Sequence, residues 1–190
     1  MSVSPPDDRI ITPRLTLVLA TAEIVRADLS DRPALVGLLG AVVPENWPPE
    51  ILVEALPELL ARLEEGWGQL GWYWLLHADS GGLPGLIGGG GFNNDPRHCD
   101  EVEIGYAVLP QYRDCGFATE AVAAMVRWAF SHGTLEAVSA ETLAGQAASI
   151  RVLEKNGFQL LGEGSEPGTV EYLLLREDLP EPPGESEVKN

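Results

Sequence analysis

A chain of 190 residues, 45% of them hydrophobic, fits one domain large enough to bury a sizeable core. Its 12 basic and 29 acidic side chains give a formal charge of −17, which argues against a sequence-independent grip on nucleic acid or on an anionic membrane surface. Cationic partners remain compatible with that charge.

Residues 1–9 read as a tail, residues 10–179 as the single domain, and residues 180–190, where Glu181, Glu185 and Glu187 lie among prolines, as a disordered acidic tail. Met1 to Asp8 holds no basic residue and no apolar stretch of signal-peptide length, and nowhere do 18 apolar residues run together, so a cytoplasmic protein is expected. Leu15, Leu17 and Leu19 alternate over Arg14–Ala20, a first strand after the turn-prone Thr12-Pro13. Helical spacing follows at Arg32–Leu39 and Glu50–Glu64, the second with an expected kink at Pro57. The run from Trp72 to Leu76 and the segment Leu86–Phe92 make a hairpin across Ser80-Gly81-Gly82. Val102, Ile104, Tyr106 and Val108 alternate with Glu103, Gly105 and Ala107 along a third strand ending at Pro110. Ala118–Phe130 is an amphipathic helix closed by Gly133, Glu136–Thr142 a strand, and Ala147–Asn156 a helix stopped by Gly157. Phe158–Leu161 and Thr169–Leu175 return to strand pattern. The order β–α–α–β–β–β–α–β–α–β–β predicts a mixed α/β domain without internal repeat.

The informative stretch is Arg113-Asp114-Cys115-Gly116-Phe117-Ala118, a glycine-containing turn between a strand and a long helix. The first turn of a helix has amides without internal partners and a positive dipole end, so it can hold a pyrophosphate. Gly116 and Ala118 allow close approach to the backbone, and Arg113 adds charge. Taken alone, R-x-x-G-x-A also describes an ordinary strand–turn–helix junction.

The longer pattern is more specific: Glu103-Ile104-Gly105-Tyr106, Pro110, Arg113-x-x-Gly116-x-Ala118-Thr119-Glu120-Ala121, then Ala148-Ser149-Ile150-Arg151-Val152-Leu153-Glu154-Lys155-Asn156-Gly157-Phe158. Here the chain resembles the GNAT acetyltransferases, in the branch that includes ribosomal-protein N-terminal acetyltransferases. The match covers about Leu86–Gly162, with a looser one at Thr12-Pro13-Arg14-Leu15. The resemblance implies a mostly antiparallel twisted sheet flanked by helices, with a V-shaped splay between the strand ending near Pro110 and the strand Glu136–Thr142. It implies acetyl-CoA as co-substrate, its pantetheine arm along Tyr106, Ala107, Val108 and Leu109 and its pyrophosphate on Arg113, Asp114, Cys115, Gly116, Phe117, Ala118 and Thr119. One of the strand amides would polarise the thioester carbonyl. A homodimer is the family-based expectation.

Transfer to an amine needs the neutral nucleophile, whereas an alkylamine such as lysine has a pKa of about 10.4 in water, so a base or a desolvating pocket must help. Glu103 is the first candidate and Glu101, of the same strand parity, the second; the competing reading is a solvated strand face. Ser149 holds the serine position of an N-x-x-S pattern that related enzymes set near the cofactor sulfur, and is the candidate acid; helix capping is its alternative role. Gln146 stands where relatives carry Asn, keeping the amide but extending its reach. Cys115 within the loop reads as a packing residue rather than a reactive thiol.

On the acceptor side, Trp47 before Pro48-Pro49 is a candidate wall, and Glu50, Glu54 and Glu58 recur as an anionic or simply solvated stripe. Trp72 and Trp74 share a strand face and read as core. Gly88-Gly89-Gly90-Gly91 fails G-x-G-x-x-G because Asn93 and Asn94 stand where the third glycine belongs; a bulge or a close neighbour accounts for it better. His77, His98, His132, Cys99 and Cys115 lack ligand spacing, so no metal and no disulfide framework is expected. The expectation is acetyl transfer from acetyl-CoA to a primary amine on a small molecule or a peptide terminus, by direct transfer in a ternary complex. The alternative is an acyl-CoA-binding module without turnover.

Overall fold

A computed structural model describes residues 9–67, 71–78, 81–95, 97 and 99–181. Ser80, His98, the first eight residues and the tail from residue 182 lie outside the described residues. The strands are β1 (Arg9–Ile11), β2 (Leu15–Leu19), β3 (Gly71–Leu76), β4 (Gly85–Phe92), β5 (Glu101–Val108), β6 (Ala137–Leu143), β7 (Gln159–Glu163) and β8 (Thr169–Leu175). The helices are α1 (Ala22–Ser30), α2 (Arg32–Leu39), α3 (Glu50–Glu64), α4 (Phe117–Ser131) and α5 (Ala147–Lys155). One open sheet runs β1-β2-β3-β4-β5-β6-β8-β7, antiparallel throughout except at β5–β6. No helix among the described residues is long and apolar enough to cross a membrane.

Strand alternation divides the core into two layers. Leu15, Leu17, Leu19, Trp72, Trp74 and Ile87 point to one side, where Ala121, Val122, Met125 and Ala129 of α4 cover them. Val18, Tyr73, Leu75 and Leu86 point to the other, under α1, α2 and α3. Trp72 and Trp74 are core, as their spacing predicts. The glycine run of β4 serves Trp74: a Cβ on Gly90 would come within 2.9 Å of both Trp74 Cζ2 and Tyr106 Cβ. The indole of Trp74 lies across this strand and stacks on Tyr106 with ring centroids 6.3 Å apart. The β3–β4 ladder also shifts register between Trp74 and Leu75.

Two elements go beyond those expected. β1 is a three-residue edge strand, and α1 is capped by Thr21, whose hydroxyl accepts from Ile24 N–H at 3.3 Å. α3 runs as one helix through Pro57. Pro180, assigned by composition to the tail, takes a hydrogen bond from Arg127 on its carbonyl and sits against Gly157.

β5 and β6 are joined by three parallel rungs only: Glu101 with Ala137, Val102 with Val138, and Glu103 with Ser139. Beyond Glu103 the two strands part while β4 follows β5 to Val108 and β8 follows β6 to Leu143. The sheet therefore carries a V-shaped opening at its centre.

Candidate active site

The junction after β5 leaves donors exposed. The chain makes a 3-10 turn at Pro110–Tyr112 and reaches α4 through residues 113–116. Asp114 and Gly116 have positive φ, 58° and 80°, a left-handed conformation that glycine takes freely and aspartate tolerates. Gly116 is the N-cap of α4, with no side-chain cap. Among the described residues, nothing accepts a hydrogen bond from the amides of Gly116, Phe117, Ala118 or Thr119; the first helical bond runs from Glu120 N–H to Gly116 O at 3.1 Å. These donors stand at the positive end of a 15-residue helix, which fits an anionic diphosphate.

Arg14 orients the turn. Its Nε donates to Glu120 Oε2 at 2.6 Å, its Nη1 to the Cys115 carbonyl at 2.9 Å, and its guanidinium lies 4.6 Å over the Phe117 ring. A trans peptide points C=O and N–H in opposite directions, so holding Cys115 O against Arg14 turns the Gly116 N–H outward. Glu120 also accepts from Thr12 Oγ1 at 2.6 Å and from the Arg14 backbone N–H at 2.8 Å. Burial pushes the Glu120 carboxyl up, but the bonds from Thr12 and Arg14 outweigh it and hold the pKa below its ordinary value. Arg113 Nε donates to Val108 O at 3.3 Å, and Arg151 of α5 faces Asp114 at 3.6 Å. In an acidic protein, three of 12 basic side chains thus stand round one loop. Arg14 and Arg151 are not among the candidates that the motif assigns; the only signal for Arg14 is the looser match at the chain's opening. Cys115 is exposed, with its Sγ on Arg113 O at 3.3 Å, so it does not pack as expected.

The opening has two lips. Leu109 N–H donates to Ile87 O at 2.8 Å and Glu103 O accepts from Asn93 N–H at 3.0 Å, so the odd-numbered residues of β5 turn their backbone groups to β4. By alternation Tyr106 and Val108 turn theirs towards β6, which has no rung left for them. Of the four residues assigned to a cofactor arm, Ala107 and Leu109 therefore face β4 and only Tyr106 and Val108 face the opening.

On the α5 side of the sheet, Ser149 is the third residue of its helix rather than its cap. Its Oγ lies 3.3 Å from the Tyr106 hydroxyl. Burial raises the Tyr106 pKa and the Ser149 contact only partly offsets it, so the phenol stays protonated at neutral pH. Pattern reading assigned Tyr106 through its backbone alone; nothing in the spacing revealed that its hydroxyl reaches Ser149. Gln146 turns its amide oxygen onto Thr142 Oγ1 at 3.0 Å.

On the opposite side lies a cavity of about 340 Å³ between α3 and strands β3, β4 and β5, lined among others by Trp47, Leu52, Trp72, Gly89, Glu103 and Gly105. Glu103 and Trp47 thus meet at one space, whereas Glu101 sits exposed near the paired end of β5 and does not line it. Burial raises the Glu103 pKa first, and the negative charges of Glu141 and Glu171 add to it. Glu141 itself is pulled down to about 2, chiefly by the Thr169 hydroxyl at 2.6 Å and then by the Ser165 amide at 2.9 Å, so it is a standing negative charge. Of the acidic stripe on α3, Glu58 is paired with Arg62 at 2.6 Å, and Glu50 and Glu54 are exposed. Asp28 ties the far wall together, accepting from Trp47 Nε1 and from the Tyr73 hydroxyl, each at 2.9 Å. Among the described residues, no group of His, Cys, Asp and Glu is placed to hold a metal.

A GNAT acetyltransferase domain matches residues 23–159, and with this opening and helix terminus in view the chain belongs to that family of N-acetyltransferases. It is 30% identical over 129 residues to the uncharacterized N-acetyltransferase YjdG of Bacillus subtilis (strain 168), covering 67% of this chain and 76% of that one. The fold recurs in the ribosomal-protein-S5-alanine acetyltransferase of Vibrio fischeri, with a TM-score of 0.59 at 18% identity, covering 92% of this chain and all of the other. It recurs also in Mycobacterium smegmatis RimJ in complex with CoA-disulfide, with a TM-score of 0.56 at 19% identity, covering 88% and 84%.

Proposed function

We propose that this protein moves the acetyl group of acetyl-CoA onto a primary amine by direct transfer in a ternary complex. The observation that carries the reading is the unpartnered amide row Gly116–Thr119, placed at the end of an opening into which Tyr106 and Val108 turn their backbone groups. Acetyl-CoA supplies an activated acyl thioester. The four amides hold its diphosphate, with Arg113 beside them, and the strand edge at Tyr106 and Val108 holds its arm and offers an N–H to the acyl oxygen. Glu103 lies on one side of the sheet and the Tyr106–Ser149 pair on the other, which suits opposite proton tasks. Glu103, whose raised pKa brings it closer to neutrality, takes a proton from the incoming amine. The Tyr106–Ser149 pair gives a proton to the departing sulfur.

One observation favours a second reading, a cofactor-binding module without turnover: Gln146 directs its amide oxygen to Thr142. Thiol release from acetyl-CoA over a panel of amines and peptides, run beside calorimetric titration with CoA, separates the two. Tight binding without release on any acceptor refutes transfer; absence of CoA binding refutes both.

A further inference from the structure

The cavity under α3 has a floor rich in glycine and walls in which most polar side chains are already paired. A Cβ on Gly89 would already touch Leu52 Cδ1 at 3.4 Å and Trp47 Cη2 at 3.7 Å, whereas one on Gly105 would meet nothing within 4 Å, so the open part of the floor lies over Gly105. Ile51, Leu52, Ala55 and Leu56 of α3 close it from above, and Tyr73 from the sheet. Trp47 Nε1 and the Tyr73 hydroxyl are both bonded to Asp28. Arg62 is held by Glu58 and the Asn93 carbonyl, and Asn93 Oδ1 takes the Glu103 N–H at 2.9 Å. The carboxylate of Glu103 is different: among the described residues no donor bonds to it, and it stands where the cavity meets Gly105 and Tyr106 at the central opening.

A ligand with several hydroxyls or several ammonium groups would bury polar atoms here with too few partners, since the other lining carboxylate, Glu58, is already paired with Arg62, at a cost for each. A ligand with one cation and an apolar body leaves nothing unpaired. Resting on the transfer reading above, the geometry points to an acceptor whose primary amine is carried on a single bulky apolar group, the amine at Glu103 and the apolar group over Gly105, under Leu52 and Ala55 of α3. A volume of about 340 Å³ suits a small molecule or one apolar N-terminal side chain. The selection runs against the overall charge: a polycation is attracted to the surface of this acidic protein but is the wrong shape of chemistry for its cavity.

The test uses the full chain with acetyl-CoA and four acceptors: 2-phenylethylamine, spermidine, and two short peptide amides differing only in beginning with Phe or Ser. The expected result is that kcat/KM favours 2-phenylethylamine over spermidine, and the Phe peptide over the Ser peptide, by about tenfold or more. Comparing the small amine with the Phe peptide tells which source presents the group. Gly105→Val fills the floor where a Cβ meets nothing within 4 Å, and Ala55→Trp, at an exposed helix position, fills the mouth without risk to the strand. Each is expected to raise KM for the apolar acceptor at least tenfold with KM for acetyl-CoA unchanged. Calorimetric binding of 2-phenylethylamine to the CoA-saturated protein gives a readout without turnover. If spermidine or the Ser peptide is preferred, or if Ala55→Trp leaves the apolar acceptor's KM and affinity untouched, the inference is wrong although transfer stands. If no acceptor releases thiol but 2-phenylethylamine binds and Ala55→Trp abolishes that binding, the inference stands and transfer falls. If 2-phenylethylamine neither reacts nor binds, the inference is overturned.

Discussion

The two ends of the central opening are made in different ways. On the proposed reading the cofactor end is a continuous run, Arg113–Thr119, in which one helix start leaves backbone amides unpaired. The proposed acceptor end is assembled from α3, β3, β4 and β5, and its space comes from the side chain that is missing at Gly105 as much as from those present. Backbone anion sites are local and announce themselves in a short motif. A cavity is a property of packing, and its chemistry depends on which polar atoms have been used up elsewhere.

The largest effect is expected at the backbone end. Gly116→Glu places a carboxylate before the amide row and forces a side chain into a left-handed position 3.3 Å from Arg14 Nη2; CoA affinity by calorimetry should fall beyond detection. At the other end, Glu103→Gln should lower kcat/KM by about 10²-fold or more while leaving CoA affinity intact. The loss should be greatest where Glu103 is ionised and the amine still protonated, and the acid limb of the pH profile should disappear; a surviving acid limb would reassign the base.

Smaller effects sharpen the contrast. Glu120→Gln should cost about 1–2 kcal/mol of stability, the worth of charge-assisted bonds at a partly screened ion pair. The Glu120 pKa is lowered in the folded state, so its contribution is complete above the ordinary value of 4.5 and is lost as pH falls through the folded value. Chemical denaturation should therefore show wild type and variant converging in acid. The mildest change is Glu171→Gln: removing one negative charge from the neighbourhood of Glu103 should move the acid limb of kcat/KM to lower pH without altering the affinity for CoA.

Much of the architecture was legible because apolar periodicity and turn residues agree along most of the chain. α2 and α3 stand at the expected boundaries, and Trp72 and Trp74 are core. α1 is not legible, because Asp28 interrupts its apolar face; the carboxylate is hydrogen-bonded by Trp47 and Tyr73, 19 and 45 residues away. The edge strand β1 has three residues, too few for any periodicity. At the site, the Gly116 turn is a local pattern and could be read. The clamp of Arg14 on Glu120, 106 residues distant, and the contact of Tyr106 with Ser149, 43 residues distant, are products of the fold and could not.

Only three rungs join β5 to β6, so the sheet is in effect two slabs hinged along a short seam. A chain-like molecule lodged in the cleft and bonded to the backbone on either side would act as a partial extra strand, stitching the slabs above the seam. Binding of that kind stabilises the native state by mass action. Above the seam the two halves share packing but no backbone ladder, and occupancy of the gap, rather than any additional packing, is what would supply one.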